Sequence, residues 1–390
     1  MAGTAVVAHG GGPTPVLNAS LSGLIGEAQR SRDVRALYGA QFGLNGLLED
    51  RFFDLFALSS EVLEAVRLAP GSVLGSSRRP LTPDQDERIF GVFRRRNVRY
   101  FFYTGGNGSM ETALRFHRIA RASGYELNVI GIPKTIDNDL AGTDHTPGYA
   151  SCARFFAHAV RDIGADNRAL PSPICLVEVL GRNVGWVVAG TAHARHREDD
   201  PPNLIYFPEV GLSADQLCAD VEAVYRKLGR CVVAVCEGQQ DEQGGWFGAD
   251  LVTAPGVRDQ LPANMAQVLA RLIWGRTGVR ARAEKPGLLG RSCQALASEV
   301  DREESFRCGV AAMKAALAGE SGQMVSIRRL PGERYQSEMA LVPLESVARI
   351  ERRFPEEWMN DARNDVRAGY VEWSRPIVGE VPPHPVLGLM

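Results

Sequence analysis

Short apolar runs, each followed by glycine or polar residues, recur through the first 240 positions of the chain. They occupy residues 4–8, 100–103, 128–132, 174–179 and 231–235. None alternates apolar with polar positions, so each predicts a strand buried on both faces. Helix-period segments lie between them. Leu17, Leu21, Leu24, Ile25 and Ala28 mark one face of a helix that opens after the first glycine run. Thr82-Pro83-Asp84-Gln85 and Ser213-Ala214-Asp215-Gln216 each set a capping hydroxyl three residues before a glutamine, predicting two further helix starts. After Arg291 a helix is expected near 305–318 and a strand near 324–328. The polar, Gly-rich stretch 239–262 reads as an exposed loop, and 193–202 (HARHREDDPP) as a solvated turn. The last twenty residues hold four prolines and read as an extended tail. Strands alternating with helices predict an α/β fold with parallel sheets covered on both sides.

Composition narrows the classes. At 390 residues the length favours two domains, and 45% hydrophobic residues excludes a disordered chain. Lys+Arg 44 against Asp+Glu 46 leaves a net charge of -2, so no global basic field points to nucleic acid. No apolar run approaches the roughly 18–20 residues of a membrane span, so no membrane partner is expected. The N-terminus lacks the basic and apolar regions of a secretion signal. Seven cysteines form no CxxC pair and carry no histidine at zinc spacing; Cys231 and Cys236, flanking an apolar run, read as buried small hydrophobes. A reduced, cytoplasmic protein is expected. Lysine occurs only at Lys134, Lys227, Lys285 and Lys314, so the chain otherwise uses arginine as its cation.

In parallel sheets ligands bind beyond the carboxyl ends of the strands. Here those ends carry Gly10-Gly11-Gly12, Gly105-Gly106-Asn107-Gly108-Ser109, Pro133-Lys134-Thr135-Ile136-Asp137-Asn138-Asp139, Leu180-Gly181-Arg182 and Glu237-Gly238. The first loop opens a helix, so its amides can face a phosphate. Pro15 stands where a dinucleotide fingerprint needs a small residue, which disfavours an oxidoreductase, and no Gly-Lys pair supplies a Walker A loop. Asp137 and Asp139 suit a proton acceptor and a metal ligand side by side, and Lys134 suits phosphate neutralisation. Arg78 and Arg79 follow small residues, as Arg182 follows Gly181; Arg282 and Arg291 flank a Pro-Gly turn. Glu237 suits hydrogen bonding to substrate hydroxyls. Phosphates, a hydroxyl acceptor and a base together describe phosphoryl transfer.

From Val6 to about Ala318 the sequence resembles the phosphofructokinase family. Residues 133–139 (PKTIDND) carry the most specific match, supported by 177–182 (VEVLGR), 71–78 (GSVLGSSR) and 298–301 (SEVD). The phrasing of 146–155 (TPGYASCARF) is closer to the long form, which includes pyrophosphate-dependent enzymes. The resemblance implies two doubly wound, Rossmann-like parallel-sheet domains with the active site in the cleft between them. Residues 1–145 plus about 301–370 would bind the phosphoryl donor, 146–300 the sugar phosphate, and 371–390 would form the tail. Asp137 is implied as general base on the sugar 1-hydroxyl, with Lys134 and Arg78 stabilising the transferred group. Gly11, Gly12, Arg78, Gly106, Asn107, Gly108, Ser109 and Lys134 would cradle the donor. Thr135, Asp137, Asp139, Leu180 (usually Met), Gly181, Arg182, Glu237, Arg282 and Arg291 would bind fructose 6-phosphate or a similar sugar phosphate, the last two in some members from a neighbouring subunit. Mg2+ would sit on Asp139 and position 107, and a homodimer or homotetramer is implied.

Two departures stand out. The family's metal-binding Asp is here Asn107, and a frequent phosphate-binding Arg is here Pro173. Gly108 beside Lys134 mixes the features of ATP and pyrophosphate users; the long-form phrasing favours pyrophosphate. The implied reaction is phosphoryl transfer from pyrophosphate to fructose 6-phosphate. The alternatives are ATP as donor, another sugar or polyol as acceptor, and a non-catalytic sugar-phosphate-binding paralogue.

Overall fold

The computed structural model of the chain describes residues 2–170, 174–247 and 264–386. The reading of Pro173 and the later part of the 239–262 loop lie outside the described residues, as do the last four positions of the tail. Two compact units are present, Met1–Tyr149 with Glu299–Arg352, and Ala150–Ser298 with Arg353–Met390.

The first unit opens with β1 (Gly3–His9), β2 (Val34–Ala40), β3 (Phe52–Asp54), β4 (Val98–Gly105) and β5 (Asn128–Pro133). The second contributes β6 (Ile174–Val179), β7 (Leu204–Tyr206), β8 (Cys231–Cys236) and β9 (Ala281–Glu284). The chain then returns to the first unit for β10 (Gln323–Arg329) and β11 (Ser337–Pro343). The first sheet has the order β11-β10-β5-β4-β1-β2-β3, and the second β7-β8-β6-β9. The second is wholly parallel. In the first, only the edge strands β3 and β11 run antiparallel.

Alternation along the buried strands explains why both faces of the first sheet are covered. Val6 and Ala8 of β1 join Phe90, Phe93, Phe101 and Phe116 in one core. Ala5 and Val7 point into a second core with Leu21, Leu24, Leu37 and Met313. The second unit packs Leu176, Val233 and Val235 against Leu217, Val221 and Leu269. The helix starts form for the expected local reasons. Thr82 makes a capping box with Gln85 ahead of helix Pro83–Arg95. Ser213 accepts from the Gln216 amide ahead of helix Ala214–Leu228.

Three expectations are corrected. The return segment of the first unit ends at Arg352, and the chain from Arg353 onward packs with the second unit. Part of the presumed tail is a helix, Ala368–Val378, with Tyr370 and Ile377 fully buried. Tyr370 and Trp373 pack with Trp186, Phe354 and Trp358 in one aromatic cluster, and that burial outweighs Pro376 within the helix. Residues 193–202 are not a solvated turn. His193 and Asp200 are buried, and Asp200 pairs with Arg168 and Arg197. Arg195 grips both carboxylate oxygens of Asp365. Among the described residues no helix is long and apolar enough to cross a membrane.

Candidate active site

In the first unit, β5, β4 and β1 are adjacent, so the loops leaving their carboxyl ends meet. The Gly10-Gly11-Gly12 turn is held from both sides. The Gly11 amide donates to the Ser77 carbonyl (3.0 Å), and the Ser76 hydroxyl donates to the Gly11 carbonyl (2.6 Å). Gly11 sits at φ +76, a region open to glycine. Lys134 is buried, and its Nζ donates to the carbonyls of Gly10 (2.7 Å) and Gly12 (2.6 Å). The ammonium therefore shapes the loop as well as charging it. Arg78 follows the Gly10–Ser77 bridge and is exposed at the rim.

The second glycine loop abuts the first. A Cβ on Gly10 or Gly105 would run into the Ser109 hydroxyl, so both glycines are required by close approach. Ser109 is buried and hydrogen-bonds the Tyr103 hydroxyl. Helix Asn107–Ala122 starts here with no acid in its first turn, and its leading amides lie outside the helical ladder. Sixteen residues of aligned dipole thus favour an anion at this point. Gly108 is exposed, and a Cβ there would meet nothing, leaving the mouth wide.

The third loop holds the carboxylates. Asn138 turns the chain at φ +58 between Asp137 and Asp139. Its Oδ1 accepts from the Thr146 amide (2.9 Å), and the Thr146 hydroxyl donates to the Thr135 carbonyl (2.8 Å). Asp137 is half-buried, with its amide on the Thr135 hydroxyl (3.1 Å). Asn107 Nδ2 donates to Asp139 Oδ2 (3.0 Å), and Asn107 Oδ1 is buried with no hydrogen-bond partner among the described residues. The pair offers one carboxylate and, at the other terminal atom of the amide, one carbonyl oxygen. That set fits a magnesium ion that completes its shell with water and substrate phosphates, at one negative charge fewer than a pair of carboxylates. Among the described residues no group of three or more His, Cys, Asp or Glu forms an all-protein metal site.

His9, which carried no signal in the sequence, lies beneath this edge. The Ser72 hydroxyl donates to Gly75 O, so His9 Nδ1–H donates to Ser72 Oγ (2.8 Å). Burial, followed by the Lys134 charge, lowers its pKa to about 3, so the ring is neutral. A second ammonium-like charge beside Lys134 is thereby avoided.

In the second unit, Leu180, Gly181, Arg182 and Glu237 come together where β6 and β8 end. The Glu237 carboxylate accepts from the Gly181 and Arg182 amides. Burial and then Glu178 raise its pKa, against Lys285, which lowers it. Arg182 is exposed in a left-handed turn (φ +54), and a Cβ on Gly238 would strike its carbonyl. Arg282 is not brought to this edge. Its Cα pairs with Cys175 near the start of β6, about 16 Å along the strand from Leu180. Arg291 ends the short turn Gly287–Arg291 beyond β9 and is half-buried.

Glycine loops, a helix start, a buried lysine and paired carboxylates on one parallel-sheet edge define a phosphate-handling α/β protein. The chain belongs to the phosphofructokinase family, whose description it matches over residues 4–316. It is 36% identical over 386 residues to the pyrophosphate–fructose 6-phosphate 1-phosphotransferase of Rhodospirillum rubrum, covering 97% of this chain and 94% of that one. It is 30% identical to a sulfofructose kinase of Alkalicoccus urumqiensis, covering 97% and 96%. The crystal structure of a pyrophosphate-dependent phosphofructokinase from Marinobacter aquaeolei superposes with a TM-score of 0.88 at 30% identity, covering 99% of this chain and 94% of that one.

Proposed function

We propose that this protein transfers a phosphoryl group from pyrophosphate to the 1-hydroxyl of fructose 6-phosphate, giving fructose 1,6-bisphosphate and phosphate. The observation that carries the reading is the buried Lys134, tied to both shoulders of the glycine turn and three residues from Asp137. Asp137 accepts the proton of the attacking hydroxyl, and the sugar oxygen displaces phosphate in line. Lys134, Arg78 and the loop residues Gly11, Gly12, Gly106, Gly108 and Ser109 hold the donor and meet the charge that develops on it. Asp139 and Asn107 would hold magnesium, which when bound neutralises phosphate charge. Thr135, Leu180, Gly181, Arg182 and Glu237 orient the sugar. Arg282 and Arg291 grip its 6-phosphate, from a second subunit of a cytoplasmic homo-oligomer if not from the same chain.

The test is product formation from fructose 6-phosphate and magnesium, with pyrophosphate and ATP supplied in parallel. Pyrophosphate is expected to support the faster turnover. Asp137→Asn should lower kcat by about 100–10,000-fold while sugar binding is retained. Equal activity of that variant removes Asp137 as the base.

A second reading keeps the chemistry and changes the acceptor's far anion from phosphate to sulfonate. It is favoured by the full-length similarity to a sulfofructose kinase and by the placement of Arg282 away from the β6 edge. A higher kcat/KM with a sulfonated sugar than with fructose 6-phosphate would select it.

A further inference from the structure

Residues 142–148 form a strap on which the reactive loop is folded, and a histidine is buried at its centre. The strap touches the loop at four points. Thr146 bonds Asn138 and Thr135, the Thr135 amide donates to the Pro147 carbonyl (3.2 Å), and Thr135 bridges Gly148. The strap is in turn nailed to the return segment of the same unit. The Ser326 hydroxyl donates to Gly142 O (2.6 Å), and Thr143 exchanges bonds with Ile327. Gly148 N donates to Asp301 Oδ1 (2.9 Å) on helix Glu299–Leu317.

His145, fully buried, makes a further attachment. Its Nδ1 lies 2.9 Å from Asp144 Oδ1, and its Nε2 lies 2.7 Å from Glu304 Oε2 on that same helix. Both acceptors are carboxylates, so both ring nitrogens must donate, and only the imidazolium has two N–H groups. The other Glu304 oxygen is saturated by the Tyr335 and Ser337 hydroxyls, each at 2.5 Å. The charges facing the ring are therefore Asp144 and Glu304, with Arg329 on Asp144 and Arg352 on the Thr143 and Asp144 carbonyls. Asp301 and Cys308 lie one turn away on the helix, and the Tyr335 ring lies 6.5 Å away, tilted by 52°.

We propose that His145 is a positioning residue for phosphoryl transfer: its two N–H groups, one donated to Asp144 and one to Glu304, lock the strap that holds Thr135, Asp137 and Asp139 in their reactive arrangement. The inference rests on the reaction proposed above. It makes an alkaline limit to turnover a property of the strap. Burial opposes the charge, but the hydrogen bonds from the ring to Asp144 and Glu304, and their charges, raise the pKa to about 9. A folded pKa raised above the ordinary 6.5 gives stabilisation that is complete below 6.5 and lost as pH rises through about 9. Deprotonation also forces one nitrogen's lone pair against a buried carboxylate, which is unfavourable at either end.

The test uses the full chain and two variants. In His145→Gln the amide can still donate to Glu304 but carries no charge. Its kcat is expected to fall about 10–100-fold, the scale of a slightly misplaced reacting group. KM for fructose 6-phosphate should stay within about twofold, the pattern of an interaction felt in the transition state. Amide hydrogen exchange should quicken at residues 135–139 and stay unchanged in β4. In Glu304→Gln the ring loses one carboxylate, so the fall in kcat expected of the wild type near pH 9 should move about one unit toward neutral. A folded His145→Gln with unchanged kcat and exchange overturns the proposal, as does a loss confined to KM. An alkaline limb that stays in place in Glu304→Gln overturns it equally, and that arm remains readable if His145→Gln does not fold. If the wild type turns over with neither donor, the proposed reaction fails instead, and exchange at residues 135–139 alone decides for or against the strap.

Discussion

At position 107 an amide stands beside the Asp139 carboxylate, so the pair carries one negative charge where two carboxylates would carry two. The amide also relieves Asp139 of repulsion when no cation is present. Asn107→Asp should therefore do two opposed things. Without magnesium it should lower Tm, because two carboxylates then face each other across about 3 Å. With magnesium the loss should be reversed, and half-saturation should come at about tenfold lower magnesium, a change of roughly 1.4 kcal/mol. Calorimetry and activity, each titrated with magnesium, check this; an unchanged magnesium dependence of both would remove Asn107 from the metal site. The departure itself was legible in the sequence, because the residues around it match the family closely. Its consequence was not, since the bond from Asn107 to Asp139 joins residues 32 apart.

Elements differ in how openly the sequence displays them. Strand β6 coincides with its apolar run, and β8 extends its run by one residue, because both are buried on both faces and bounded by polar turns. β7 is three residues long and β9 carries Arg282 and Glu284, so neither shows a periodic signal; pairing with β8 and β6 makes them strands. β2 mixes buried and exposed positions and likewise depends on its place beside β1. Caps are local and therefore readable. Ser213→Ala should destabilise the second unit by about 1 kcal/mol, the usual cost of losing a capping hydroxyl, with the donor loops unaffected. Hydrogen exchange across helix Ala214–Leu228 would register it; unchanged protection would mean that packing of Leu217 and Val221 alone fixes the helix start.

For the whole molecule, the chain from Arg353 onward decides whether the second unit is complete. Phe354, Trp358, Tyr370 and Trp373 surround Trp186, and Phe354 stacks on Phe207 at 5.1 Å. Each aromatic ring buries on the order of 150–250 Å2, so their loss together exceeds what a marginally stable unit can absorb. A chain truncated after Arg352 should retain a folded first unit and lose cooperative unfolding of the second. Two calorimetric transitions in the full chain reduced to one would bear this out, and an unaltered second transition would contradict it. Arg195 and Asp365 belong to the same assembly, 170 residues apart, which is why the charges of 193–202 read as solvent-facing.

The sequence by itself determined what depends on neighbours along the chain: buried strands, helix caps, the glycine turns after β1 and β4, and the Lys134–Asp139 segment whose order of residues already describes phosphoryl chemistry. Tertiary structure alone decided what depends on approach between distant segments. It made Lys134 a support for the first turn, paired Asn107 with Asp139, kept His9 neutral and His145 charged, and set Arg282 at the far end of its strand. The reason is physical. Backbone propensity and binary patterning are short-range and leave a period in the sequence, whereas desolvation and hydrogen bonding between remote side chains leave none.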